Sequence, residues 1–540
     1  MSENNRKDDK KSDKVPINPL KAIQQQLSNN EDTNGLDKDS VRQLLTQMNI
    51  SEVLAGSSGV GQGNKKDMGQ HKFWSTQPVA LPQEGSQDGP IDPTVDVEKF
   101  SKVPLPLPKE YEWVDVDLDN AQELEDVREL LCLNYVEDDD ATLRFNYSAE
   151  FIAWALKPPG YQKSWHVGVR VASGKRKLVA FIGAVPMTID VNKRTLNTSE
   201  VNFLCVHKKL RSKRLAPVLI KEVTRRCNLK GVYQATYTGG NVLPGIISTC
   251  QYFHRPINVP KLVDTGFSQP QPGMSIEKMA KASDIPANSP TRPQPEGFRE
   301  MEEKDVAGVT ALLKAYLSRF ELAPIFSQEE VRHTFLSGRG EGEYIDGKPM
   351  REKQVVWAYV VEDPQTKLIT DFISFYSLPS TVVGNDKHPI LDAAYMFYYA
   401  TEKALPDDWR SSSTTVFPRK LEVAKRSRVG ERLNRLVEAI LRVSKSTGFD
   451  VFNTLTLMES NHFISDQKFK PGSGLLNYYI FNWKLSKQIN GGIGSGRDCS
   501  GIALNKLEEV EEIEEIDTNA DTHKNSQSVN VMVRFASGGN

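Results

Sequence analysis

Five basic side chains, Lys208, Lys209, Arg211, Lys213 and Arg214, crowd one short stretch of this chain, with His207 in front of them. Val201, Phe203, Cys205 and Val206 precede the cluster as a short apolar, β-favouring run. Leu215, Val218, Leu219 and Val223 follow it at the spacing of one buried helical face. A strand, a basic turn and a helix start form a recipe for a phosphate site. Free backbone N–H groups and the positive end of the helix dipole meet an anion there, and Pro217 suits the first turn. The plain alternative is a solvated basic loop between two core elements.

Two other clusters could carry chemistry. Glu137, Asp138, Asp139 and Asp140 are consecutive, flanked by Tyr135 and by Phe145 and Tyr147. Four adjacent carboxylates repel one another unless a cation offsets them, so the loop reads either as solvated or as a receptor for a cationic peptide side chain. Tyr252 and His254 are one residue apart, and an extended chain points both to one side. The five cysteines, Cys132, Cys205, Cys227, Cys250 and Cys499, show no C-x-x-C spacing, which indicates neither a zinc site nor a disulfide framework. Cys205, in an apolar strand, reads as a packed core thiol, although spacing alone leaves a nucleophile open.

The elements that must position these groups follow from pattern. At 540 residues and 38% hydrophobic content the chain can bury a large core and form two or more domains. A net charge of −2 gives no general argument for nucleic acid. No apolar run approaches the ~18 residues of a membrane span, and no signal peptide opens the sequence, so a soluble protein of a reducing compartment is expected. Residues 1–68 read as a disordered arm, and 69–110 as an arm and linker that opens with the aromatic cluster HKFWSTQPV. The first folded half spans 111–267, a Pro-rich connector 268–296, and a second half 297–504. Both halves run helix, β-meander, strand, helix, strand, which suggests a duplicated α+β unit. Residues 410–435 stand out as an atypical basic insert ahead of a helix at Arg435–Thr447, and 505–540 as an acidic, then polar, extension.

With EVNFLCVHK at Glu200–Lys208 and KFKPGSGLLNYYIFNW at Lys468–Trp483 in hand, the chain resembles the glycylpeptide N-tetradecanoyltransferase (N-myristoyltransferase) family. NYVEDDDATLRFNYS, PPGYQKSWHVGVRV, YTGGNVLP and DFISFYSLPST are further family-like segments, and the resemblance runs from about His71 to Trp483 with one gap, the basic segment near Arg410–Arg435. It implies an α+β fold of two tandem GNAT-like (acyl-CoA N-acyltransferase) halves in one compact pseudo-symmetric unit. It also implies myristoyl-CoA as co-substrate, with no permanently bound cofactor and no metal.

Residue by residue, the resemblance makes His71, Lys72, Phe73 and Trp74 the arm that closes over CoA. Phe203, Leu204, Cys205 and Val206 line the thioester, with the backbone N–H groups of Phe203 and Leu204 as the oxyanion hole. Ser212, Lys213, Arg214, Leu215 and Ala216, with Arg211, cradle the phosphates. Tyr135, Glu137, Asp138, Asp140, Phe145, Tyr147, Thr238, Tyr252, His254, Ser380 and Tyr395 match peptide-binding positions. The family's base is its C-terminal carboxylate, whose place here is taken by Leu504. Leu504 is followed by the chain's run to Asn540, and Ser473 stands where the family's second signature carries an Asp. The expected partners are myristoyl-CoA and proteins with an N-terminal glycine, with no specific nucleic acid. A cytoplasmic monomer is expected, touching ribosome or membrane through its N-terminal arm. The alternatives are a GNAT transferase of another acyl group, or an acyl-CoA and glycyl-peptide binder whose displaced chain end impairs turnover.

Overall fold

In the computed structural model one large mixed sheet organises the chain, and its strand order exposes the duplication. The structure describes residues 72–80, 87–135, 142–270, 272–287, 292–414, 416–493 and 500–506. The first half supplies strands β1 (Tyr111–Asp115), β2 (Leu143–Phe145), β3 (His166–Val171), β4 (Leu178–Val191), β5 (Arg194–Val206), β6 (Ala235–Gly239) and β7 (Ile246–Pro256). The second supplies β8 (Phe298–Glu300), β9 (Leu322–Pro324), β10 (Val356–Glu362), β11 (Ile369–Ser377), β12 (Ser380–Val382), β13 (Ile390–Leu391), β14 (Ala393–Thr401), β15 (Val451–Leu455) and β16 (Lys470–Phe481). Among the described residues the main sheet runs β1-β3-β4-β5-β6-β16-β7-β15-β14-β11-β10-β8, with β9 on β4. A smaller sheet runs β13-β12-β2.

Read from either end, the main path is an antiparallel run closed by one parallel pair, β5 with β6 and β14 with β15. Each pair is joined through a long helix, Leu215–Asn228 in the first half and Val423–Thr447 in the second. The halves then exchange their last strands. β6 pairs with β16, and β15 pairs with β7. Among the described residues the α-helices, in chain order, are α1 (Ala121–Asn134), α2 (Ala149–Leu156), α3 (Leu215–Asn228), α4 (Val259–Asp264), α5 (Ile276–Ala282), α6 (Val306–Leu317), α7 (Gln328–Arg332) and α8 (Val423–Thr447).

The second half of the basic stretch 410–435 is helical. That half is the front of α8, which starts at Val423 rather than near Arg435. Val429, Leu433, Leu436, Val437 and Ile440 are buried at helical spacing. The charges hid that stripe in the sequence, and some are structural: Arg432 holds the fully buried Asp371 carboxylate at 2.5 Å. Deeper still, Arg319 and Glu459 pair at 2.6 Å with side chains 0% and 2% exposed, and Tyr316 donates its O–H to the same carboxylate.

Candidate functional site

The site is built on β5. Phe181 of β4 lies opposite Cys205, and Gly183 opposite Asn202. Phe203 and Leu204 therefore face one residue, Ile182. That is a β-bulge, which takes its extra residue out of the hydrogen-bond ladder and re-aims the local amides. Phe203 accordingly has φ of +58°, the left-handed region. For a non-glycine residue this costs about 1–2 kcal/mol, and burial holds it there. The Phe203 ring is 0% exposed and packs on Tyr147 and Tyr135, with ring centroids 5.7 and 6.3 Å away.

Beside the bulge the sheet opens. β5 and β6 pair through Ser199 with Ala235 and Glu200 with Thr236, then part. Beyond that point β5 stays with β4 and β6 with β16. One wall of the wedge carries Asn202 and the bulge; the other carries Tyr237 and Thr238. Asn202 is 0% exposed, and neither polar atom of its side-chain amide has a hydrogen-bond partner among the described residues. A buried amide left in that state is costly, which marks Asn202 as part of the site. The EVNF pattern could have flagged it, since it puts polar side chains, Glu200 and Asn202, at two successive same-face positions just before the apolar run Phe203–Val206.

The basic turn continues from β5 into α3. Ser212 and Arg214 have φ of +63° and +59°, so the turn alternates into the left-handed region as an anion-binding nest does. Arg214 is the residue before α3 and supplies no side-chain cap. The first-turn amides of Leu215, Ala216 and Val218 consequently have no capping side chain. Ser212, Lys213 and Arg214 are exposed, while Arg211 turns inward and donates to the Asn134 carbonyl. The Lys208 N–H donates to Asn134 Oδ1 at 3.1 Å, so the end of α1 braces the turn. Burial, with Lys177, Lys209 and Arg211 nearby, lowers the His207 pKa.

Phe73 and Trp74 dock on the protein's own core. Their rings meet edge-on at 5.1 Å, and Trp74 stacks on Tyr237 at 5.7 Å and 6°. Tyr237 stacks in turn on Tyr479 of β16 at 4.9 Å, and Lys221 of α3 sits over Phe73. The arm thus packs against the β6 wall of the wedge. Lys72, beside it, is exposed, and His71 lies outside the described residues.

Several of the positions expected to bind peptide are joined by ring contacts. Phe145 meets Tyr147, Tyr147 meets Phe151, Phe151 meets Tyr376, and Tyr376 stacks on Tyr395 at 5.3 Å. Ser380 lies opposite Phe145 in the small sheet. Tyr252 and His254 alternate along β7 as the spacing predicts, opposite Leu455 and Asn453, and Tyr395 pairs with Asn453 from the other side. Thr238 lies opposite Tyr478. His254 Nδ1 is 2.6 Å from Asn453 Oδ1, and burial pushes the ring's pKa down to about 4, so it is neutral near pH 7. A Cβ on Gly472 of the second signature would stand 2.3 Å from His254 Nε2, which is why that position must be glycine. Glu137, Asp138 and Asp140 lie outside the described residues. Phe151 and Tyr376, missed in the sequence, are the links between Tyr147 and Tyr395.

Leu504 is 1% exposed, inside the core, and its carbonyl is bonded on to Asn505 and Lys506, both also buried. Asn505 and Glu200 line an open cleft whose walls include Trp154, Val185, Phe326 and Phe397.

With this geometry in place, the relatives can be compared. The family model "Myristoyl-CoA:protein N-myristoyltransferase, N-terminal domain" matches residues 90–250, and the corresponding C-terminal domain model matches 264–504. This chain belongs to the N-myristoyltransferase family. A glycylpeptide N-tetradecanoyltransferase of Schizosaccharomyces pombe is 47% identical over 478 residues, covering 87% of this chain and 96% of its own. That of Saccharomyces cerevisiae is 45% identical over 450 residues, covering 83% and 92%. A crystal structure of Saccharomyces cerevisiae N-myristoyltransferase with bound myristoyl-CoA superposes with a TM-score of 0.75 at 41% identity, covering 86% of this chain and 99% of that one. The fold is that of an N-myristoyltransferase, and the C-terminal family match includes α8 and stops at Leu504, just before Lys506.

Proposed function

We propose that this chain transfers the myristoyl group of myristoyl-CoA to the N-terminal glycine amine of proteins. The observation that carries the reading is the bulge at Phe203–Leu204, set at the mouth of the β5–β6 wedge and followed directly by an uncapped helix N-terminus. CoA phosphates lie on the turn at Ser212–Ala216, where backbone N–H groups and Lys213 and Arg214 offset their charge. Phe73 and Trp74 shield the thioester side. The glycine enters along the Tyr135, Tyr147 and Phe203 cluster, with Thr238, Tyr252, His254 and Tyr395 beyond it.

The amine nitrogen attacks the thioester carbonyl carbon directly. The oxyanion that forms is stabilised by the Phe203 and Leu204 N–H groups, and its collapse forms the amide and expels CoA as a thiolate. Cys205 takes no part, since its thiol is 0% exposed and directed at the Leu130 carbonyl. The amine has a free pKa of about 7.7–8.0 and arrives largely as an ammonium, so a proton must leave before or during attack. Leu504 offers a peptide carbonyl there and no carboxylate. In this reading the chain works as a cytoplasmic monomer, and contact with ribosomes or membranes runs through residues 1–68.

A single-turnover assay of the full chain tests the reading. Transfer from myristoyl-CoA to a Gly-Xaa-Xaa-Xaa-Ser peptide is expected, with none to the same peptide beginning in Ala. Equal use of acetyl-CoA, or acyl-CoA binding without transfer, would overturn it.

A further inference from the structure

The apex of the wedge is occupied by a residue from neither of its strands. β5 and β6 are joined at Ser199–Ala235 and Glu200–Thr236 and separate immediately afterwards. At that point the Lys506 side chain, 0% exposed, places Nζ 2.8 Å from Glu200 Oε1 on β5 and 3.4 Å from the Thr236 carbonyl on β6. The chain is held on its way there. The Asn505 N–H donates to the Tyr398 hydroxyl at 3.1 Å, and Asn505 Nδ2 donates to the Phe397 carbonyl at 2.8 Å. Lys506 lies beyond Leu504, where the family match ends. Burial alone would lower its pKa, and the Glu200 carboxylate opposes that.

Glu200 and Asn202 share a face of β5, with the bulge starting at the next residue. Thr236 and Thr238 share a face of β6. A charge-assisted link across Glu200 and Thr236 therefore fixes where both walls of the wedge begin. We propose that Lys506 is a positioning residue for acyl transfer: its ammonium staples β5 to β6 where they part, and so sets the Phe203–Leu204 amides against Thr238 across the gap. The proposal rests on the acyl-transfer reading and deepens it. Reacting groups displaced by about 1 Å lose on the order of 10²-fold in rate, while CoA and peptide contacts elsewhere stay intact. The loss should consequently fall on kcat and spare KM.

The test uses the full chain with K506M, E200Q and the K506M/E200Q pair, measuring thermal midpoint, kcat and both KM values. K506M strands Glu200 as a buried unpaired carboxylate and lowers the midpoint; the pair, with both charges gone, regains most of it. Both K506M and the pair are expected to lose roughly 10- to 100-fold in kcat with KM changed less than about threefold. The proposal is overturned if the pair regains kcat together with its midpoint, if K506M keeps kcat within about twofold, or if KM alone rises. Wild-type transfer in the same assay keeps the two readings apart. A wild-type chain that does not transfer overturns the acyl-transfer reading and this one with it, whereas normal wild-type transfer with unaffected variants overturns this proposal alone.

Discussion

Asn202→Leu should make the protein more stable and a poorer catalyst. The side-chain amide is 0% exposed and unpartnered among the described residues, and a buried polar group in that state costs about 1–3 kcal/mol. Leucine removes that cost at similar volume, and the change of shape returns up to roughly 1.5 kcal/mol of strain. The net expectation is a gain of about 1 kcal/mol, read as a higher urea midpoint with an unchanged slope. If the amide instead serves the reacting centre next to Phe203, its loss should cost about 10²–10³-fold in kcat, the scale of one preorganised donor. Opposite signs in the two assays are the signature of a group kept for chemistry at the expense of stability. A variant that is less stable by more than about 1 kcal/mol yet turns over normally would show that Asn202 is structural and refute the reasoning.

Three other outcomes are expected. Replacing Lys213 and Arg214 with Ala should raise KM for myristoyl-CoA roughly tenfold, since exposed charges contribute about 0.2–1 kcal/mol each. That penalty should shrink as salt rises and vanish for S-myristoyl-pantetheine; an equal loss on pantetheine would remove the turn from the phosphate site. His166 and His254 are both held at pKa values of about 4 by burial, below an ordinary 6.5. The unfolded chain then takes up protons that the folded one refuses, so stability falls as pH drops from about 6.5 toward 4, by up to ~3 kcal/mol for each. His166→Gln should flatten urea midpoints between pH 7 and 5, and an unchanged slope would count against it. Glu459→Gln strands the buried Arg319 and should cost about 3–5 kcal/mol in thermal or urea unfolding, most of it recovered in Glu459→Leu with Arg319→Met; a loss under about 1 kcal/mol would mean the pair is not desolvated.

Much of this site was legible because its groups are local in sequence. The strand, turn and helix from Val201 to Val223 carry their own periodicities, so the strand–basic turn–helix unit could be read from pattern. The Tyr252 and His254 alternation was legible for the same reason. What the sequence concealed is long-range or electrostatic. The bulge leaves no composition signal, because Phe203 is no glycine and its positive φ is enforced by Tyr135 and Tyr147 from elsewhere. The front of α8 looked like an insert because Arg432 and its neighbours outweigh the Val429, Leu433, Leu436 stripe until Asp371 is seen beneath them. Lys506 looked like the start of a solvated tail, and no local pattern reveals that Glu200 lies under it.

The exchange of last strands explains why two matched domains make one site. β7, which begins inside the first family match, has both its partners, β15 and β16, in the second half. β16, from the second half, lies between β6 and β7 of the first. Tyr252 and His254 therefore face strands encoded two hundred residues away, while Tyr479 of β16 backs the Tyr237–Trp74 stack beside the wedge. Separating the chain at the connector would leave β6 and β15 as unpaired edges and take His254 from Asn453. The wedge beside the bulge and the strand that carries Tyr252 and His254 cannot then be assigned one to each half. Each is completed by a strand of the other, and a change on β16 reaches both.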